Sequence, residues 1–221
     1  IIRHERGTVD KYMGDCIMAF WGAPVESGEH AWQAVRAALA MVEEIRAINQ
    51  ERVASNELPV ALGIGLHTGL MCVGDMGSDV RRSYTVVGDA VNLGSRLEGL
   101  TKTYGVDIIA SHATRKLATG FRWQELDRVR VKGREQVVTI YRLLPEGDDG
   151  EPAGSAGSTA WEELLKSYRA QDWEQCELCL LNLIRLDPRN VLYHLYAERV
   201  ARRKSLPRIH GWDGATDIET K

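Results

Sequence analysis

The stretch Thr8-Val9-Asp10-Lys11-Tyr12-Met13-Gly14-Asp15-Cys16-Ile17-Met18-Ala19-Phe20-Trp21 decides how the rest of the chain is read. Residues 8–13 and 16–21 are two strand-like runs, and Gly14-Asp15 between them marks a tight hairpin turn, because glycine takes the backbone angles such a turn needs. The turn would hold the Asp15 carboxylate rigidly at a sheet edge. That suits a hard cation such as Mg²⁺, which takes few protein carboxylates and keeps its other positions for water and phosphate. Taken alone, Asp15 is equally an ordinary turn aspartate.

Downstream of this hairpin, strand and helix signals alternate. Trp32, Val35, Leu39, Val42 and Ile45 recur at three-and-four spacing, which predicts a helix over 29–56 with one face on a sheet. Pro59 ends it. Residues 60–68 and 70–73 are strand-like and joined at Gly69, whereas 74–82 is glycine-rich and charged and is expected as an exposed segment. A short strand over 84–87 leads into Gly88-Asp89, with Asp89 placed to favour the N-terminus of a helix running to about Tyr104. A strand at 106–110, a short helix at 111–117 and a last hairpin, 121–131 with 137–144 around Lys132-Gly133, complete the region. Frequent hairpins among helices predict an α+β fold, with an antiparallel or mixed sheet and helices on one face.

Residues 145–159 read PEGDDGEPAGSAGST, a composition without periodicity that is expected to form a flexible linker. It divides a first domain, 1–144, from a tail, 160–221, read as helices at about 160–170, 173–186 and 190–204 with Asp187-Pro188 as the break. The tail segment around Trp161, Tyr168, Trp173 and Leu180 resembles one tetratricopeptide-type helical hairpin. A single such unit cannot bury its own apolar face and must dock on something.

Composition narrows the partners. A net charge of −3 over 221 residues gives no global attraction to nucleic acid or anionic membrane. Cysteines at 16, 72, 176 and 179 make no disulfide framework and suit a reducing cytosol; Cys176-x-x-Cys179 lies in a helical pattern and reads as small buried residues. No apolar run approaches the roughly 18 residues of a membrane span. The chain opens on Ile1 with strand-like sequence close behind, so the protein is expected to extend upstream.

Asn92 and Arg96 stand four apart on the predicted helix and so share a face. A guanidinium there could brace a phosphate through its planar fork and the amide could orient a sugar; in isolation the pair is also an ordinary solvated stripe. Taken with Asp10–Asp15 and with Tyr84-Thr85-Val86-Val87-Gly88-Asp89-Ala90-Val91-Asn92-Leu93-Gly94-Ser95-Arg96-Leu97-Glu98, the pattern resembles the class III adenylate and guanylate cyclases over roughly residues 5–144.

The resemblance implies a ferredoxin-like nucleotide cyclase sandwich, incomplete at its N-terminus, followed by the small helical-hairpin tail. Asp15 looks like the second of two metal-binding aspartates, for two Mg²⁺ or Mn²⁺ ions. Lys11 and Thr85 look like the purine-reading pair, Asn92 like the ribose-orienting asparagine, Arg96 like the arginine that stabilises the transition state, and Lys132 like a phosphate-contacting lysine. Adenine N1 is an acceptor and suits a Lys donor, whereas guanine N1 carries a hydrogen, so Lys11 favours ATP. Thr85, where many members carry Asp, resembles a subgroup that includes bicarbonate-responsive enzymes.

The implied activity is conversion of ATP to 3′,5′-cyclic AMP and pyrophosphate by a homodimer with its sites at the interface. The family's first metal aspartate lies in a Phe-x-Asp strand that would precede Ile1, so the chain is expected to be a fragment of a protein with its catalytic end in the cytoplasm and a possible membrane or sensor segment upstream. The competing expectation is a catalytically inactive module that dimerises or binds nucleotide.

Overall fold

The computed structural model describes residues 1–78, 80–131, 136–144 and 156–218. The opening hairpin forms as its sequence dictates. Strand β1 (Thr8–Met13) pairs antiparallel with β2 (Cys16–Phe20), closing at Met13↔Cys16 so that Gly14 and Asp15 are the two turn residues. Gly14 has φ 65°, the positive angle that this position requires.

Helix α1 (His30–Ala54) follows, then β3 (Ile64–Leu66), β4 (Cys72–Ser78) and β5 (Arg81–Val87). Of the strand expected over 60–68, only Ile64–Leu66 is paired. The exposed segment expected over 74–82 is largely strand: β4 and β5 form a hairpin in continuous register from Cys72↔Val87 to Ser78↔Arg81. Such a ladder satisfies its backbone internally and buries little, so it leaves no alternating apolar signal in the sequence.

Helix α2 (Asp89–Tyr104) ends at Gly105 in the left-handed conformation. Then come β6 (Ile108–Ser111), α3 (His112–Leu117), β7 (Arg122–Val131) and β8 (Val137–Leu144). The main sheet has the order β3-β6-β8-β7-β9, where β9 (Thr216–Ile218) lies in the tail; β3/β6 and β7/β9 are parallel and the other pairs antiparallel.

Side chains alternate across a strand, so the two faces of this sheet take different helices. Leu66, Ile108, Ala110 and Leu143 pack with Ala31, Ala34, Val35 and Ala38 of α1. Ile109, Leu126, Val129 and Ile140 pack with Leu93, Leu97, Leu100 and Tyr104 of α2. The expectation of helices on one face is therefore corrected: a mixed α+β sheet carries a helix on each. The α2 contact is close enough to demand glycine, since a Cβ on Gly65 would lie 2.3 Å from both the Glu98 amide nitrogen and the Gly94 carbonyl oxygen.

The tail consists of α4 (Ala156–Arg169), α5 (Trp173–Leu186) and α6 (Val191–Lys204). Its helix begins inside the segment expected as linker over 145–159, whose residues 145–155 lie outside the described residues. Asp172 and Asn190 cap α5 and α6 by accepting from Gln175 N and Leu192 N, both at 3.1 Å.

The tail docks on the α2 side of the sheet. Trp161, Leu164, Tyr168, Leu183, Leu192 and Tyr196 join one core with α2, β6, β7 and β8. Fully burying a side chain of this kind stabilises by about 1.5–3 kcal/mol. Trp161 Nε1 donates to the Glu125 carbonyl at 2.7 Å, Tyr196 OH to the Leu126 carbonyl at 2.8 Å, and Arg169 pairs with Glu125. Cys176 and Cys179 are buried on α5, and burial pushes the Cys176 thiol up to about 12. No helix among the described residues is long and apolar enough to cross a membrane.

Candidate active site

The β1–β2 ladder pairs Val9 with Ala19 and Lys11 with Met18, leaving Asp10 as the extra residue of a bulge. In a regular strand Asp10 and Lys11 would point to opposite faces; a bulge re-aims its side chains, and here both reach Thr85. Lys11 Nζ donates to Thr85 Oγ1 at 3.1 Å, Thr85 Oγ1 donates to Asp10 Oδ2 at 2.9 Å, and Lys11 Nζ lies 3.3 Å from Asp10 Oδ2. The Asp10 side chain is only 2% exposed and that of Lys11 is 45% exposed. The three residues thus form a polar cluster with its anion inside and its cation at the surface.

Two short hairpins meet here. Thr85 sits in β5 opposite Gly74 and is buried, and the Phe20 and Tyr84 rings, 6.2 Å apart between centroids, pack β1–β2 against β4–β5. Lys11 and Thr85, distant in sequence, are therefore in contact.

Asp15 projects from the hairpin turn and is exposed. Its chain neighbour Cys16 has a thiol held above its usual range by desolvation and by the negative charges of Glu98 and Asp15. Asn92 is exposed on α2 and Arg96 is half-buried one turn later, beside the buried stripe of Leu93, Leu97 and Leu100 that anchors the helix. Lys132 lies outside the described residues.

Among the described residues no three His, Cys, Asp or Glu side chains converge as a metal site. Asp15 offers one carboxylate of the kind Mg²⁺ or Mn²⁺ accepts, so the chain's fit to a metal is through that single oxygen donor group. The residue that sequence reasoning missed is Asp10. Its signal is faint: a charged residue beside Lys11 in a run otherwise suited to a strand, with nothing local to announce the bulge.

Comparison with known proteins agrees with this architecture. Residues 2–144 match the family described as the adenylate and guanylate cyclase catalytic domain. Adenylate cyclase 1 of Rhizobium meliloti is 36% identical over 145 residues, which cover 65% of this chain and 22% of that protein, so the chain spans under a quarter of that relative's length. Among solved structures, the adenylyl cyclase CyaB from P. aeruginosa matches with a TM-score of 0.60 and 31% identity over 66% of this chain and 76% of that one. The guanylyl cyclase Cya2 matches with a TM-score of 0.56 and 33% identity over 67% and 76%. On its fold and on these matches, the chain belongs to the adenylate and guanylate cyclase catalytic-domain family.

Proposed function

We propose that this chain is the catalytic part of an adenylate cyclase that converts ATP to 3′,5′-cyclic AMP and pyrophosphate as a homodimer. The observation that carries the reading is the Lys11–Thr85 contact. A half-exposed cation that can only donate and a buried hydroxyl sit side by side, a pairing that fits the N1 acceptor and 6-amino donor along one edge of adenine.

In this reading the ribose 3′-oxygen attacks the α-phosphorus in line, the 3′-hydroxyl loses its proton, and the bond to the bridging oxygen of pyrophosphate breaks. Lys11 and Thr85 hold the purine, Asn92 orients the ribose, and Arg96 opposes the charge that develops on the phosphorus oxygens, with Lys132 assigned to the phosphates by resemblance. Asp15 would hold Mg²⁺ or Mn²⁺, whose contribution when bound is to acidify the hydroxyl and stabilise the departing phosphates.

Asp15 of one chain is assigned to the same site as Lys11, Thr85, Asn92 and Arg96 of a second. Exposed Tyr12, Met13 and Ile17 flank the turn that carries it, apolar surface of the kind an interface covers. Four free cysteines, two of them exposed, fit a reducing cytoplasm.

The test is Mn²⁺-dependent nucleotide turnover by the full-length protein. ATP should give cyclic AMP, and Asp15→Ala should lower the rate by about 10²-fold or more. Undiminished turnover in that variant removes Asp15 from the mechanism. Binding of ATP with no turnover by the wild type selects the inactive nucleotide-binding module instead.

A further inference from the structure

The Thr85 hydroxyl stands between two groups whose roles cannot be exchanged. A Lys ammonium has only donors and an ionised carboxylate only acceptors. Thr85 Oγ1 receives a hydrogen bond from Lys11 Nζ at 3.1 Å, so its single proton goes to Asp10 Oδ2 at 2.9 Å. One lone pair is left over. The hydroxyl, which in general both donates and accepts, can then only accept from anything bound in front of it.

We propose that Asp10 is a specificity-determining positioning residue: from its bulge in β1 it fixes the Thr85 hydroxyl as an acceptor, and so favours a purine with an amino group at position 6 over one with an oxo group there. The proposal rests on the reading of Lys11 and Thr85 as the purine contact. Asp10 itself stays out of reach of a ligand, its side chain 2% exposed behind Thr85 and Lys11, so it acts through Thr85. Adenine offers a donor to the remaining lone pair, whereas guanine O6 would meet it lone pair to lone pair, with no proton between them. Facing two acceptors is costly because neither is satisfied by the other.

The bulge is what makes this arrangement possible. With regular pairing, residue 10 would turn to the face of the hairpin opposite Lys11. Because Asp10 is the unpaired residue between Val9↔Ala19 and Lys11↔Met18, consecutive residues of opposite charge converge on one hydroxyl.

The experiment is steady-state kinetics of the full-length protein with ATP and with GTP. Asp10→Asn keeps the size of the side chain but can present Thr85 with a donor as readily as an acceptor, so the hydroxyl is free to reverse. The ratio of kcat/KM for GTP to that for ATP should rise by about tenfold, the worth of one hydrogen bond of ordinary strength. Asp10→Ala, which removes the acceptor altogether, should raise it at least as far. In a Thr85→Val background neither change should move the ratio further, because the group through which Asp10 acts is gone.

An unchanged ratio in folded Asp10→Asn overturns the proposal, as does an equal shift with and without Thr85. Should Asp10→Ala fail to fold, Asp10→Asn and its Thr85→Val double variant decide alone. Failure of the underlying reading looks different: wild-type protein would then make no cyclic AMP from ATP at all.

Discussion

Two β-bulges, one in each half of the molecule, deliver a buried aspartate to a polar cluster, and the clusters differ in what closes them. In β1 the extra residue is Asp10 itself, and its partners are Thr85 and a Lys11 side chain that is 45% exposed. In β7 the extra residue is Leu126, which shifts Asp127 into register with Ile140 and beneath the tail. Asp127 Oδ2 there accepts from Tyr104 OH and Arg199 Nη1, both at 2.7 Å, and from Thr216 Oγ1 at 3.0 Å, while Oδ1 accepts from Arg128 N at 2.7 Å.

The second cluster ties together α2, α6, β7 and β9 and is sealed: the Arg199 and Asp127 side chains are 7% and 2% exposed. Arg199 also lies over the rings of Tyr104 and Tyr196, 5.5 and 5.1 Å from their centroids. Desolvation works against its charge, but Asp127 and the two tyrosines overcome this and hold the guanidinium above its usual range. A cluster whose cation is enclosed can only hold elements together. One whose cation faces outward can also meet a ligand. The bulge supplies the carboxylate, and the exposure of its partner decides the use.

That contrast can be broken most severely at the tail. Arg199→Ala leaves Asp127 buried without its cation and should cost about 3–5 kcal/mol, read as a fall in the urea midpoint. Asp127→Ala should cost a similar amount. Replacing both by apolar residues should cost less than either alone, because what is expensive is the orphaned charge. If these variants fold, their GTP-to-ATP ratio should match the wild type, and a changed ratio would erase the division of labour.

Tyr104→Phe removes one donor to Asp127 and should cost about 1–3 kcal/mol. The same tyrosine sets an alkaline limit. Burial, then the Asp127 charge, raises its pKa well above 10.0, and Tyr196 is raised likewise. Below the unfolded value both states keep their protons and the full stability is present. Above it only the unfolded chain deprotonates, so stability falls by about 1.4 kcal/mol per pH unit for each such tyrosine. Urea unfolding at about pH 8 and about pH 11 measures the loss, which Tyr104→Phe should reduce.

The smallest stability effect should come from the other cluster. Asp10→Asn disturbs a pair with one member half in water, and such pairs are worth about 1 kcal/mol or less. Thermal unfolding should barely move while base selectivity relaxes. A large drop in melting temperature without a change in selectivity would make Asp10 a structural residue like Asp127.

How much was legible varies with the kind of signal. The opening hairpin, α1 and α2 follow from local rules: a Gly-Asp turn between apolar runs, a three-and-four apolar spacing, and Gly88-Asp89 at a helix start. Of the β4–β5 hairpin, residues 72–73 and 84–87 carry a strand signal, whereas the charged, glycine-rich part over 74–82 carries only a signal of exposure, because it buries no regular face. Helix α4 starts at Ala156, inside the expected linker, because Gly and Ser are poor guides to a helix stabilised by Trp161 and Leu164 docking on the core. Strand β9 left no trace, being three residues held by a parallel neighbour, Val129↔Thr216 to Val131↔Ile218. Of the proposed site, Lys11, Thr85, Asp15, Asn92 and Arg96 enter through the family resemblance, whereas the contact of Asp10 with Thr85 has no sequence signal.

By itself the sequence determined the elements with strong local periodicity and the Gly-Asp turn that exposes Asp15. Only the tertiary structure decided that Asp10 and Lys11 face the same way, that Thr85 stands between them, and that the tail closes over Asp127. Those outcomes depend on strand register and on contacts between residues 74 or more positions apart in two cases and 72 in the third. A bulge shifts register by one residue without altering composition or hydropathy, so the face to which a side chain turns is settled when the strands pair and pack.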